Sequence, residues 1–367
     1  MLEFRREEPG QRAELAAFAG RAFARKGVAE DFASLLPKLY GPQADPSPVH
    51  TLLYEDGRLA ALFALQVADF TVAGCRLRTG WLGTVAVRED CRGRGHLARL
   101  MEQAQRQMAE SGCDLAVLGG QRQRYGRFGF EPGGTQWQFT LQPRNIRDLP
   151  RPGETEVRPL MEADMDRVMD LWRQQPVLGP RSRDDFGLVL SSWGSTPLGL
   201  WQNGRLCGYC TCNAQGQVLE LCLPDPSLLP SLLAPLLDRC GWLTVTLGPW
   251  PGPCQRMLAS CSEQVRLVEN HSYRIFHWKP VLEASLALRR RWSPLPEGRL
   301  LVPIGGEGCL EFDGTRCAWT PAADGGGLTA REAVRLLWGP DSALVCASAV
   351  PPGWLPLPLA FPWLDGI

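Results

Sequence analysis

The chain has 367 residues, enough for two or three domains at the usual ~100 to 200 residues each. Its 39 basic and 39 acidic side chains balance, which argues against nucleic acid or an anionic membrane surface as a partner. Lys26, Lys38 and Lys279 are the only lysines, so Schiff-base chemistry is thinly supplied and arginine is the cation for anion recognition.

Leu15, Phe18, Ala19, Ala22 and Phe23 mark a first helix, and Phe32, Leu35, Leu36 and Leu39 a second that a proline interrupts. HTLLYEDGRLAALFALQVADF reads as two strands joined by a two-residue turn at Asp56-Gly57, and TVAGCRLRTG carries another turn at Ala73-Gly74. From Trp81 to Arg88 the pattern alternates with a period of two, as in a strand. The turn CRGRGHL follows. Leu97, Leu100, Met101, Ala104 and Met108 then share one helical face to about Glu110, with Gly112 placed as a left-handed cap. The strand DLAVL, the element YGRFGF and the strand-like TQWQFTL complete this part.

PRPGE, around Pro150 to Gly153, is a linker. Beyond it the opening theme returns. Met165, Val168, Met169 and Trp172 make a helical face, and Asn203-Gly204-Arg205-Leu206 stands where Asp56-Gly57-Arg58-Leu59 stood. The parallel predicts an internal duplication. The second copy, VLELCLPDPSLLPSLLAPLL, has prolines where the first has glycines, so it is expected to have lost phosphate binding. Pro230 and Pro235 also keep it short of the ~18 to 20 apolar residues of a membrane span.

HSYRIFHWKPVLEASLALRRR predicts a strand running into a helix around Val281 to Leu288. After WSPLPEG come short strands (LLVPI, CLEF, TRCAW) and a helix with capping-box spacing at Thr329 and Glu332, ended by Gly339. The tail PPGWLPLPLAFPWLDGI is apolar enough that docking is expected.

A glycine-rich turn entering a helix presents unpaired N–H groups and the positive end of the helix dipole to one point, which attracts phosphate. Arg88, Arg92 and Arg94 lie near it. CRGRGHL lacks the Lys-Ser/Thr pair of a P-loop, and its strand context is a meander rather than a dinucleotide fold. His96 reads as a loop residue rather than a base, and Glu89 and Asp90 as a solvated turn; Tyr54, Trp81 and Trp137 read as core. Strand alternation puts Cys210 and Cys212 on one face and Cys207 on the other. No second cysteine pair matches them, and the histidines number only four (His50, His96, His271, His277), so no metal is expected. Thirteen scattered cysteines behind an N-terminus without an apolar core suggest reduced thiols and a cytoplasmic location. Hydrolase signatures lack a context.

VAVREDCRGRGHLARLM resembles the acetyl-CoA-binding core of the GCN5-related N-acetyltransferases (GNAT), whose pattern is Gln/Arg-x-x-Gly-x-Gly/Ala. Arg92 and Gly95 match; Leu97 replaces the last small residue, as in the enhanced-intracellular-survival (Eis) type. RYGRFGFEP, from Arg124 to Pro132, is similar to a further element of that branch. The resemblance implies an α/β (α+β) chain with a catalytic GNAT domain at 1–150, a degenerate GNAT-like domain at 151–284 and a small sterol-carrier-like α/β domain at 285–367. It implies that backbone groups of Val85, Ala86 and Val87 meet the pantetheine of acetyl-CoA, and that Arg92, Gly93, Arg94, Gly95 and His96 cradle its pyrophosphate. Tyr125 is implied as the general acid and the terminal carboxylate of Ile367 as the base. The expected partner is a small-molecule amine, aminoglycoside-like or another polyamine, with a trimer or hexamer as the assembly. A protein or peptide amine, or a non-catalytic acyl-CoA-binding regulator, are the alternatives.

Overall fold

The structure, a computed structural model, describes residues 1–321, 326–345 and 350–367. Its first part runs β1 (Leu2–Arg6), α1 (Arg12–Ala22), α2 (Phe32–Leu35), α3 (Pro37–Tyr40), β2 (His50–Glu55), β3 (Arg58–Val72), β4 (Cys75–Val87), α4 (His96–Glu110), β5 (Leu115–Leu118), α5 (Arg122–Tyr125) and β6 (Glu131–Gly133). Asp56 and Gly57 both take positive φ, 50° and 76°, the turn whose twist suits a two-residue hairpin. Pro37 opens α3 directly after α2, because its ring cannot continue a helix from the preceding residue. The apolar stripe of α4 (Leu100, Met101, Ala104, Met108) packs on Phe63, Leu65 and Leu82 of the sheet.

The chain continues through β7 (Gln136–Leu141), α6 (Pro143–Ile146), β8 (Thr155–Pro159), α7 (Met165–Trp172), β9 (Val177–Leu178), α8 (Phe186–Leu190), β10 (Ser195–Gln202), β11 (Arg205–Asn213), β12 (Gln217–Cys222), α9 (Leu229–Cys240), β13 (Leu243–Leu247), α10 (Pro253–Cys261), β14 (Gln264–Val268) and β15 (His271–Ile275). The first sheet has the order β1-β2-β3-β4-β5-β15-β6, the second β14-β7-β13-β12-β11-β10-β8. Each contains antiparallel hairpins, then a helical crossover into a parallel neighbour: β4 to β5 through α4, β12 to β13 through α9. Asn203 and Gly204 repeat the positive φ of Asp56 and Gly57, at 52° and 73°. The duplication is therefore present in topology as well as in sequence.

The two sheets exchange strands. β15 pairs with β5, and β7 pairs with β13, so each sheet receives beside its parallel strand a strand encoded in the other copy. The span 1–150 thus encodes most of the first sheet and β7 of the second, and the span 151–284 most of the second sheet together with β15 and the short β9, which pairs with β3, of the first.

The last part comprises α11 (Trp278–Arg290), the antiparallel strands β16 (Leu300–Ile304), β17 (Gly308–Phe312) and β18 (Cys317–Pro321), and α12 (Ala330–Trp338). The Thr329 hydroxyl accepts from the Glu332 N–H, and the Glu332 carboxylate accepts from the Thr329 N–H at 2.8 Å, closing the expected capping box. In the tail Trp354, Leu357, Leu359, Phe361, Leu364 and Ile367 are buried. All but Leu364 share a core with Trp81 and Val117 of the first sheet and Trp338 of α12, while Leu364 packs with Phe186 and Tyr209 of the second copy.

Candidate active site

β4 and β5 are paired only from Thr79/Leu115 to Trp81/Val117. Beyond that point they separate, while β4 stays paired with β3 as far as Ala61/Val87. Val85, Ala86 and Val87 therefore run along an opening whose other side holds no strand among the described residues. Between Gly83 and Ala86 the β3–β4 register shifts, and Thr84 takes φ 47°. This bulge bends the strand at the mouth of the opening. An extended molecule with amide groups can add to such an edge as a strand does.

The turn after β4 delivers Gly93 and Gly95 at φ 79° and 81°, and Gly95 is the N-cap of α4 with no side chain capping the helix. A side chain there would be strained, and the bare cap leaves the first N–H groups of α4 free at the positive end of its dipole. Backbone in this arrangement is suited to receive an anion. The arginine side chains hold the loop instead of pointing into it. Arg92 donates to the Ala22 carbonyl at 3.0 Å, and Arg94 to Glu55 at 3.0 Å and the Asp90 carbonyl at 2.9 Å. His96 is buried with its Nε2 3.5 Å from Glu55, so its ring is turned away from the turn and only its backbone N–H faces it as a helix start.

Tyr125 closes the opposite side. Its ring lies against Gly120, just past the end of β5, where an added Cβ would fall 2.6 Å from a ring carbon. Burial pushes its phenol above the ordinary value, and the nearby Arg124 guanidinium only partly offsets this, so the group keeps its proton. The segment is braced by buried Glu131, which pairs with Arg122, with Arg331 (2.5 Å) and at 3.8 Å with Arg335. Both Arg331 and Arg335 belong to α12.

The tail ends at the bulge. A methyl group at Gly83 would overlap the Ile367 carbonyl, and the Trp81 indole lies on Gly366. Only glycine fits at Gly83. Upstream, Phe361 donates its N–H to the Asn270 side chain at 2.8 Å, and half-buried Lys38 donates to the Leu364 carbonyl. Asp365 accepts from Arg181 at 2.7 Å, while Arg181 also spans both oxygens of Glu220 at 2.9 and 2.6 Å. Burial lowers the Lys38 amine to about 7 despite the nearby Asp365 carboxylate.

A polar network beside the bulge has no signature in the sequence. The Thr84 hydroxyl lies beside the Tyr40 phenol, whose oxygen is 2.8 Å from His50 Nε2. His50 Nδ1 is 2.8 Å from Glu7, which also receives Arg12. Burial opposes ionisation of Glu7, yet its bonds to His50 and Arg12 hold the carboxyl at about 2. Burial also lowers the His50 imidazole and raises the Tyr40 phenol. These residues come from four separate segments with no common spacing, which is why a pattern search passes over them.

The cysteine cluster differs from the alternation expected of it. A bulge between the Leu200/Gly208 and Trp201/Leu206 pairs flips the phase of β11, so Cys207 packs toward the same core as Cys210 and Cys212. All three are free thiols; Cys346 lies outside the described residues. Among the described residues, the cluster of metal-type ligands is Glu55, Cys91 and His96, behind the anion loop, where Glu55 already binds Arg94. No described helix is long and apolar enough to cross a membrane.

Residues 3–133 match the family model of the acetyltransferase (GNAT) domain. No curated protein is detectably similar in sequence. Among solved structures, a GCN5-related N-acetyltransferase from Kribbella flavida is 17% identical with a TM-score of 0.64, over 92% of this chain and 89% of that one. One from Anabaena variabilis is 14% identical at 0.65, over 94% and 92%. Eis1 from Mycobacterium abscessus is 13% identical at 0.65, over 98% and 99%. At such identities these likenesses speak for the fold, and they extend it across all three parts of the chain. GNAT domains use acyl-CoA and an amine, and the open edge of β4 with the bare cap of α4 suits the first of these. Residues 3–133 form a GNAT-type acetyltransferase domain, which supports N-acetyltransferase activity.

Proposed function

We propose that the enzyme transfers an acetyl group from acetyl-CoA to a primary amine of a small polycationic molecule, aminoglycoside-like or another polyamine, with both substrates bound together. The observation that carries this reading is the end of the tail, seated on Gly83 at the mouth of the β4–β5 opening. The edge of Val85 to Val87 receives the pantetheine amides, and the N–H groups from Arg92 to His96 receive the pyrophosphate. The amine nitrogen attacks the thioester carbon. As the C–N bond forms and the C–S bond breaks, Tyr125 gives its proton to sulfur. With the chain ending at Ile367, the terminal carboxylate takes the proton the amine must lose.

The second copy then serves as a scaffold, and the third part as the platform that delivers the tail; its described interior is filled by Leu310, Phe312, Trp338 and Trp354 rather than left open for a sterol-sized ligand. A homo-oligomeric, cytoplasmic enzyme completes the reading. Thiol release from acetyl-CoA, measured with aminoglycosides, polyamines and peptides, tests it. Turnover with a polycationic small amine is expected, with a fall of roughly 10²- to 10⁴-fold in kcat for Tyr125→Phe and loss of activity when residues are added after Ile367. No turnover with any amine, despite bound CoA, overturns the enzyme reading. Turnover confined to peptides replaces the acceptor. Full activity of the lengthened chain removes Ile367 from the chemistry.

A further inference from the structure

The first sheet is covered on both faces, by α4 on one and by α11, α12 and the tail on the other. The second sheet is covered only in part: α7 and α8 pack on Trp201, Tyr209 and Cys222, and the β12–β13–β7 stretch is left open on that side. Its apolar face, with Phe139, Val218 and Val245, packs on α9 and α10. Its other face fronts a cavity of about 810 Å³, within the size of small-molecule sites.

The floor of this cavity follows from strand register. Gln217 lies beside Thr244, and Thr246 beside Gln138, with Gln136 two residues further along the same face. β12 and β13 pair only at Gln217/Thr244 and Val218/Val245 and then diverge, so the second copy keeps an opening like that between β4 and β5. The walls are indoles. Trp250 stacks on Trp292 with centroids 5.8 Å apart and planes at 14°, and Trp193 meets Trp363 at 5.9 Å. Trp193 holds φ 62° and ψ 31°, a left-handed conformation that a bulky residue keeps only where the surroundings impose it.

The lining contains nine amide side chains but only two charged ones, Glu220 and Arg291. Glu220 is already committed to Arg181 and to the Tyr209 hydroxyl at 2.7 Å. A polycation finds no free carboxylate here, and a phosphate finds only the exposed Arg291. Amides donate and accept equally well, which suits hydroxyl groups, and indole faces suit the C–H faces of a pyranose ring.

The geometry points to a binding site for a neutral saccharide in this cavity, separate from the acyl-CoA cleft. The second copy, which lost its glycine turn, retains a ligand site of different chemistry. Phe361 and Trp363 form part of the wall, so a bound sugar contacts the segment that leads to Ile367.

Titration of the full-length protein with maltose, cellobiose, lactose and N,N′-diacetylchitobiose, read by tryptophan fluorescence and calorimetry, tests this without reference to acetyl transfer. At least one sugar is expected to give a saturable change, weakened at least about tenfold in Trp193→Ala and in Gln138→Leu. Gln138→Leu lies on the sheet surface and keeps the test meaningful if Trp193→Ala does not fold. Spermidine and adenosine are expected to leave the signal flat. A folded wild type that binds none of the sugars overturns the proposal, as does unchanged sugar affinity in folded Gln138→Leu. A response to spermidine or adenosine in place of the sugars overturns it as well.

Discussion

The two sheets share a topology and differ at the same two places. At the start of the crossover helix the first copy has Gly93 and Gly95 and a bare cap. The second has a 3-10 turn, Pro226–Leu228, whose N-cap Asp225 accepts from the Ser227 N–H at 2.9 Å and its hydroxyl at 2.7 Å, and α9 follows with Pro230 in its first turn. A carboxylate on the Ser227 N–H satisfies that donor internally and repels a phosphate. At the strand opening, the first copy receives the chain's own tail, whereas the second is left as an amide-lined cavity. One scaffold thus presents a bare glycine turn before one crossover helix and a carboxylate-capped, proline-bearing turn before the other.

The largest test of this contrast is the brace that ties the tail to the second copy. Arg181 is almost wholly buried and ties Asp365 of the tail to Glu220 of the second sheet. Arg181→Met leaves two carboxylates buried without their cation, and the expected loss is roughly 3 to 5 kcal/mol of stability, read as a lowered denaturant midpoint. Acetyl transfer falls with it, because the tail is released. If activity survives at temperatures where the variant is folded, the tail does not need this anchor.

Next in size is the acid limb of stability. Glu7 belongs to the closed network of the first copy, and its carboxyl lies at about 2 against an ordinary 4.5. A depressed carboxylate stabilises fully above the unfolded value and loses that contribution as pH falls from about 4.5 toward 2. The shift corresponds to about 3 kcal/mol. Urea midpoints measured across that window should fall steeply for the wild type and less so for Glu7→Gln. Equal slopes would assign the acid sensitivity to other carboxylates.

Much of the site was legible because it is local. The turns at Asp56-Gly57 and Asn203-Gly204, the strand–turn–helix around Gly95, the Thr329–Glu332 box and the docked tail all follow from residues a few positions apart. Long-range geometry was not. Nothing in HSYRI or TQWQFTL specifies that each pairs in the other copy's sheet, because strand pattern encodes a face and not a partner. Arg92 and Arg94 read as phosphate ligands, yet their side chains found the Ala22 carbonyl and Glu55, partners 70 and 39 positions away. A one-residue bulge at Cys207 likewise reversed an alternation argument that depends on unbroken pairing. The cavity draws its lining from Gln136 to Trp363 and leaves no motif at all.

Gly83→Ala probes the opening itself. The added methyl meets the Ile367 backbone rather than a flexible side chain, so the tail end must move. A displacement near 1 Å is enough to cost roughly 100-fold in rate when a catalytic group is misplaced. We expect kcat to fall by about that factor, with acetyl-CoA affinity nearly unchanged because the α4 cap is untouched. An equal loss of acetyl-CoA binding would show that the methyl closes the pantetheine edge instead, and would separate the roles of Gly83 and Val85.

The smallest effect is the most diagnostic of the comparison. Asp225→Ala in the second copy removes the side chain that caps Ser227 and should lower stability by only about 1 kcal/mol, visible as a small shift in Tm. It bares the Ser227 N–H ahead of α9, but Pro226 and Pro230 still withhold two donors there and no left-handed glycine turn leads in. Equilibrium dialysis with labelled acetyl-CoA should therefore give one site per chain in the variant as in the wild type. A second site appearing on this single change would mean that the carboxylate alone silenced the copy; its absence assigns the loss to the prolines and the missing glycines as well.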